Sequence, residues 1–466
     1  MTVPVLVQLV RNSDRSPSPR RALLIAAAVC LVSFAAFWTA QRAAGVSMID
    51  LLVYRAEGRT VLDGLDLYAM RATHARLPMT YPPFAALLFT PLTLPGVPLL
   101  RTLATAGNLV LLIVFVRLSL QLALQGQLAL HGKTRPPGKA LSKKLPKKAS
   151  PQAARLWVAT LWVAAFAVWC EPVWTTLRYG QINLLLAVAV LWDLTREHAR
   201  CPALLKGRRR HRWAGAGIGL AAAVKLTPAL FAVLLLLVGL VRARRTGWNP
   251  WLRQAATATA VFVGATLLTA VVLPADSLRF WTGTLFETGR AGLAEDAANQ
   301  SLRGVLARLS HTGDPALWWP VGAAVVAVAG LTAAVAAALR GERAGAVAGC
   351  AATALLISPV SWSHHWVWCV PMALYVAVRV GAGWAAAGWL IFCSYALWWG
   401  PRPSGGPELA QGALQMALCA LYPLTALALI GLLLGDTARA RRAQGSQEAQ
   451  GALGGSQGYG QAVANE

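Results

Sequence analysis

The sequence predicts an all-α polytopic membrane protein, and three observations carry that prediction. Of its 466 residues, 56% are hydrophobic and only 13% charged, a balance unlike that of a soluble chain of this length. Apolar runs suited to a bilayer core of about 30 Å recur from residue 22 to residue 434 and leave no room for a large soluble domain. The formal charge of +25, from 43 Lys+Arg against 18 Asp+Glu, is gathered into short basic clusters between those runs. Clusters beside spans mark cytoplasmic loops, and these lack the interleaved aromatics of a nucleic-acid surface. The lipid bilayer is therefore an expected partner and nucleic acid is not.

The elements follow in order. Arg11, Arg15, Arg20 and Arg21 place residues 1–21 in the cytoplasm, and the run 22–40 reads as an uncleaved first helix rather than a signal peptide. The outer loop 41–82 is long for a structureless connection and is expected to fold into interfacial helices. Residues 83–124, split by Pro91 and Pro95, count as one kinked crossing, because the basic loop 125–155 must lie inside. Further spans are expected at 155–170, 182–194, 213–225, 227–241, 252–273, 316–339, 345–359, 365–380, 383–399 and 411–434. Between them, Lys206–Arg212, Arg242–Arg245, Arg340–Arg343 and Arg439–Arg442 mark the cytoplasmic side. The total is about 12 crossings, and those shorter than the usual length of about 20 residues must be extended by loops or buried as broken helices. The Gly/Gln-rich tail, 435–466, reads as cytoplasmic and disordered. Seven cysteines without CxxC spacing suggest neither a zinc site nor a disulfide framework.

Under this topology the polar motifs that composition leaves unexplained all fall on the outer face. They are SMIDLLVYRAEGRTVLDGLDLY, MTYPPFAALL, EPVWTTLRYGQIN, AVKLTP, EDAANQSLRG and SPVSWSHHWVW. Random loop polarity would scatter over both faces, so their convergence argues for one site at the membrane boundary. Asp50 is a candidate general base, with a solvated or capping acid as the alternative and Asp63 and Asp66 as neighbours. The two prolines of TYPPF suit a helix start that would turn Tyr81 toward the site. Gln181 and Asn183 open a helix after a Gly turn, where amides bind sugar hydroxyls or merely cap. Lys225 either snorkels or meets an anionic phosphate, the latter aided by the helix start at Thr227 and Pro228. Arg303 is a second phosphate candidate, beside Asn299 and Gln300 as hydroxyl ligands. His364 and His365 show no metal-binding spacing, so a hydrogen-bonding or proton-transfer role fits them better, with Trp362 as a stacking platform or belt residue. No metal site and no cofactor are expected, and metal dependence is left open.

The ordered motifs D…Y…G…LY, TYPPFAALL, GQINLLL, GLAAAVKLTP, NQSLRG and SPVSWSHHWVW resemble glycosyltransferase family 87, the multi-spanning actinobacterial mannosyltransferases of the GT-C superfamily. The likeness covers about residues 20–400, so the implied architecture is a GT-C-type bundle over 22–434 with a folded first outer loop. It implies transfer of mannose from polyprenyl-phosphate-mannose to a glycolipid, lipoglycan or polysaccharide acceptor, with inversion and an α-1,2 linkage. Carried over by position, Asp50, His364 and His365 are the catalytic set. Lys225 and Arg303 also look similar to family positions, and with Tyr54, Tyr81, Gln181, Asn183, Asn299, Gln300, Ser361 and Trp362 they are expected, on the reading of the residues above, to bind the donor phosphate and sugar. A transporter or flippase of a lipid-linked sugar is the competing reading.

Overall fold

The computed structural model describes residues 18–131, 151–195, 213–399 and 407–463, and among these every regular element is helical. Five helices are long and apolar enough to cross a membrane: Pro19–Ala43, Val97–Gln125, Pro250–Val272, Trp318–Arg340 and Leu421–Gln447. The pair Ala153–Ala167 and Glu171–Tyr179, bent by 76°, makes a sixth if it is counted as one span. The sequence predicts about 12 crossings, whereas the other apolar segments fold as shorter pieces such as Asn183–Thr195 and Arg343–Ile357. At 1.5 Å per residue, a helix of about 13 residues reaches only about 20 Å.

Local chemistry sets these boundaries. Ser18 accepts a hydrogen bond from the Arg21 backbone N–H and Pro19 takes the first helical position, so the first helix begins where its own N–H groups need a partner. Pro91 and Pro95 break the 83–124 region, as expected, into Pro83–Phe89, a short 3₁₀ turn and the long helix Val97–His131. The span expected at 365–380 is instead a 3₁₀ segment, Ser363–Trp368, leading into Cys369–Arg379. The span expected at 411–434 is divided between Ala413–Cys419 and Leu421–Val463. The latter helix continues through the stretch read as disordered from 435 as far as Val463. The bulk of the basic loop and the Lys206–Arg212 cluster lie outside the described residues.

Packing follows a lipid pattern. Trp318–Arg340 and Arg343–Ile357 form a helical hairpin against the C-terminal helix, and Pro19–Ala43 pairs with Pro151–Ala167. Trp318–Arg340 exposes Val321, Val325 and Val328 but buries Ala333, Ala334, Ala337 and Ala338. Large apolar residues outward and small ones inward is the arrangement of a helix whose solvent is hydrocarbon. On the buried stripe, a Cβ at Gly330 would lie 2.0 Å from Thr353 Oγ1, so the close hairpin contact depends on a missing side chain.

The loop 41–82 is folded, with the helix Ile49–Leu62 as its core. Sequence reasoning took ligands from its companion but did not foresee its helices: residues 273–316 carry the short helices Pro274–Thr282 and Leu302–Leu309. The two loops pack as one lobe. Leu67, Tyr68, Met79, Ala86 and Phe280 form its small core, and Asp66 pairs with Arg279. Asp276 accepts from the Leu67 N–H at 3.0 Å, and Arg290 donates to the Met79 carbonyl at 2.8 Å.

Candidate active site

Beneath this lobe lies a cavity of about 810 Å³, and all six polar motifs contribute to its wall. They supply Asp50 and Tyr54, Tyr81, Tyr179 and Gln181, Lys225 and Thr227, Asp296, and the run Ser358 to His365 apart from Ser361. The convergence expected from sequence is thus a feature of the fold.

Asp50 stands in the first turn of Ile49–Leu62, where the helix dipole favours a carboxylate, and Met48, in the left-handed region at φ 52°, turns the chain into that helix. Gln181 reaches it from a different part of the chain: its Nε2 donates to Asp50 Oδ2 at 2.5 Å, and its Oε1 accepts from the Tyr54 hydroxyl at 2.7 Å. The amide therefore ties two successive turns of one helix into a fixed pair, and Tyr54 hydrogen-bonds onward to the Tyr81 hydroxyl at 3.1 Å. The preceding Gly180 makes this approach possible. It ends Glu171–Tyr179 at φ 70°, and a Cβ there would lie 2.7 Å from Leu51 Cβ. Burial pushes the Asp50 carboxyl up to about 6, against the lowering effects of the Gln181 hydrogen bond and the Lys225 charge. A carboxylate so placed is a base close to its working range.

Lys225 occupies a break between Ala216–Val224 and Ala229–Thr246, with extended backbone at φ −149° and ψ 125°. Its ammonium donates to Asn183 Oδ1 at 3.2 Å and to His365 Nε2 at 2.8 Å, and lies 5.5 Å from the centre of the Tyr81 ring. An ammonium can only donate, so His365 accepts at Nε2 and carries its proton on Nδ1. His364 stands perpendicular to His365 with ring centres 4.7 Å apart, and its backbone carbonyl accepts from Thr176 and Asn183 at 2.8 and 3.0 Å. The His364 Nε2 lies buried among the described residues with no partner. No group of three His, Cys, Asp or Glu suited to a metal ion occurs among the described residues.

The expected ligands divide into three sets. Asp50, Tyr54, Tyr81, Gln181, Lys225, Trp362, His364 and His365 share the large cavity. Asn183 and Ser361 line a smaller, mostly apolar one that adjoins it through Lys225, Thr227, Ser358 and His365. Asn299, Gln300 and Arg303 line neither. The Asn299 amide is consumed by the Ala294 carbonyl and the Ser361 N–H, whereas Gln300 donates its Nε2 to the carbonyls of Ala297 and Cys419 and leaves its Oε1 buried without a partner among the described residues. Arg303 lies over the Trp319 ring at 5.5 Å.

Three charged residues matter here that sequence reasoning passed over. Glu57 and Arg290 line the cavity. Glu57 could have been found, since it follows Asp50 by seven residues and so lies on the same helix face. Arg290 sits in a loop with no recognisable pattern. Glu171, fully buried, accepts from Thr175, Ser363 and Trp398 through Oε1, and from Tyr422 through Oε2. It thereby anchors the residue immediately before the histidine pair. Glu171→Ala removes the acceptor of three buried hydroxyls, those of Thr175, Ser363 and Tyr422, and we expect it to cost about 3 kcal/mol or more, read as a lower melting temperature of the purified protein in detergent.

The sequence model of glycosyltransferase family 87 matches residues 79–359. A polyprenol-phosphate-mannose-dependent alpha-(1-2)-phosphatidylinositol mannoside mannosyltransferase of Mycobacterium tuberculosis (strain ATCC 25618 / H37Rv) is 36% identical over 337 residues, 71% of this chain and 70% of its own. A polyprenol-phosphate-mannose-dependent alpha-(1-2)-phosphatidylinositol pentamannoside mannosyltransferase of Mycolicibacterium smegmatis (strain ATCC 700084 / mc(2)155) is 30% identical over 416 residues, 83% of this chain and 88% of its own.

Proposed function

This chain belongs to glycosyltransferase family 87, and from that premise we propose that it moves mannose from polyprenyl-phosphate-mannose to a phosphoinositol mannoside or a related glycolipid, forming an α-1,2 linkage with inversion. The observation that carries the reading is the pairing, in one cavity, of a carboxylate held by Gln181 with a lysine held by Asn183 and His365. Direct displacement needs just these two things: a base for the acceptor hydroxyl and positive charge for the departing phosphate. Asp50 is the base. Lys225, with His365 behind it, receives the phosphate, and His364 stands on the same wall with a buried Nε2 that has no partner among the described residues. Family membership replaces the transporter reading.

We place the cavity on the outer side of the membrane, because the basic clusters fix the opposite ends of the flanking helices as cytoplasmic. Further crossings, toward the GT-C-type count of about 12, would be made by the shorter helices, among them Ala216–Val224 and Ala229–Thr246, which meet at Lys225 on the cavity side between the cytoplasmic clusters Lys206–Arg212 and Arg242–Arg245. A cysteine introduced at an exposed position of the lobe, such as Leu65, should react with a membrane-impermeant reagent on whole cells. Labelling only after lysis would reverse the orientation.

The direct test is transfer of labelled mannose from polyprenyl-phosphate-mannose by the purified protein to a panel of phosphoinositol mannosides and lipoglycans. Failure with every acceptor would remove the assignment. The pH dependence is a second check. The raised carboxyl of Asp50 must lose its proton to act, so activity should fall tenfold per pH unit below about 6 and level off above it. A flat profile between pH 5 and 7 would exclude Asp50 as the base.

A further inference from the structure

The second loop of the lobe reaches the cavity between Glu287 and Ala298, and it holds Trp362, the residue that opens the histidine segment, at two points. Gly292, at φ 127°, lies against the six-membered ring of the indole. A Cβ there would stand 2.6 Å from Trp362 Cζ2 and 2.8 Å from Cη2, so any larger residue would move the ring. Further along, Asn299 and Trp362 form a backbone bridge, with the Gln300 N–H donating to the Ser361 carbonyl at 2.8 Å and the Ser361 N–H to Asn299 Oδ1 at 3.0 Å. The indole is thereby fixed on the cavity wall, half-buried, and its Nε1 is neither buried nor bonded among the described residues.

Asp296 stands between those two points and lines the same cavity. Its Oδ1 accepts from the Ala298 N–H at 2.8 Å, and its carbonyl accepts from the Asn299 N–H at 2.8 Å and from Arg308 at 2.9 Å. Backbone and one carboxylate oxygen are therefore held, while Oδ2 is neither bonded among the described residues nor buried. No role assigned so far uses it. A fixed aromatic face beside a fixed oxygen that only accepts selects a neutral polyhydroxylated ring, whose C–H face packs on the indole while a hydroxyl donates to the carboxylate. A polyprenyl chain would leave Oδ2 unanswered, and a phosphate would be repelled by it.

Resting on the transferase reading, we propose that Asp296 and Trp362 form a pyranose subsite, in which the indole takes one face of a mannose ring and Asp296 Oδ2 accepts from one of its hydroxyls. Both substrates carry such a ring: the donor its mannose, the acceptor its terminal sugar. A site built to bond a hydroxyl strongly rejects an analogue lacking it.

The test compares wild type with Asp296→Asn, Trp362→Ala and Trp362→Phe, using polyprenyl-phosphate-mannose, a phosphoinositol mannoside, and versions of each lacking one sugar hydroxyl at a time. Asn at 296 keeps an Oδ1 for the Ala298 N–H, so the turn survives and only the free oxygen changes from acceptor to donor. Asp296→Asn and Trp362→Ala should raise the KM of the same substrate by about tenfold or more, with a smaller rise for Trp362→Phe. A rise in donor KM assigns the subsite to the transferred mannose, and a rise in acceptor KM to the acceptor's terminal sugar. On that substrate, wild type should lose a similar factor with one deoxy analogue, and Asp296→Asn almost nothing further. Inhibition by polyprenyl phosphate, which has no sugar, should be unchanged in every variant, whereas general damage to the cavity would weaken it in step with KM. That parallel weakening would overturn the proposal, as would unchanged KM values, rises on different substrates in the two variants, or equal losses from every deoxy analogue in wild type and Asp296→Asn. If Trp362→Ala elutes aggregated, Trp362→Phe and Asp296→Asn decide by the same readings. Absence of any transfer by wild type would condemn the transferase reading instead, and the subsite would then be refuted by calorimetric binding of the phosphoinositol mannoside and of polyprenyl-phosphate-mannose that Asp296→Asn leaves unaltered, and upheld by binding that it weakens.

Discussion

Asp50→Asn is expected to lower mannosyl transfer by about 10³-fold, within the range of about 10² to 10⁴ that a positioned general base contributes. The substitution keeps the shape of the side chain and can still bond Gln181 once that amide flips, since Gln181 also offers Oε1 to Tyr54 and has both a donor and an acceptor to exchange. The Ile49–Leu62 helix should therefore fold as before, and the melting temperature should change little. Because proton removal occurs only in the transition state, the loss should appear in kcat while the KM values for both substrates hold. The residual rate should also lose its acid limb near pH 6, since the group that titrates there is gone. An Asp50→Asn protein with unaltered turnover would transfer the role to another carboxyl of the cavity, where Glu57, Glu287 and Asp296 also stand.

Much of this site was legible in the sequence because its residues are expensive where they stand. A lysine between two apolar segments, a histidine pair at the edge of a span and a carboxylate just beyond the first helix all need partners that hydrocarbon does not provide. Such residues point to one another, and Asp50, Lys225 and His365 do share one cavity. Asn299 and Gln300 lie outside the cavity lining for the converse reason. Amides in a loop look like ligands, but an irregular segment buried among helices needs side chains to satisfy its own carbonyls and N–H groups, and that takes up the Asn299 amide and the Gln300 Nε2. Arg303 lies a turn further on and packs over an indole. The helices of the second loop went unread because Pro274–Thr282 and Leu302–Leu309 are only 9 and 8 residues long, too short for periodicity to stand out beside the spans. Breaks such as the one at Lys225 shortened the helices below the length rule, and so the crossing count was less legible than the site.

Lys225→Met should reduce transfer by about 10²- to 10³-fold, the scale on which removing one fixed donor to a developing negative charge acts. The phosphate gains charge as the sugar leaves, so the lysine is worth more in the transition state than in the ground state, and kcat should fall further than donor KM rises. Lys225→Arg should not rescue it. The ammonium fits between Asn183 Oδ1 and His365 Nε2 beside the Tyr81 ring, and a planar guanidinium presents its donors in a wider fork. A second readout separates this role from simple misfolding. The Lys225 charge lowers the Asp50 carboxyl against the opposing effect of burial, so its removal must raise that carboxyl above about 6. The acid limb of the Lys225→Met profile should move to higher pH, leaving less of the base ionised at neutrality. A limb that stays in place would mean that the lysine and the carboxylate do not act on one another, and the two-sided cavity would lose its electrostatic basis.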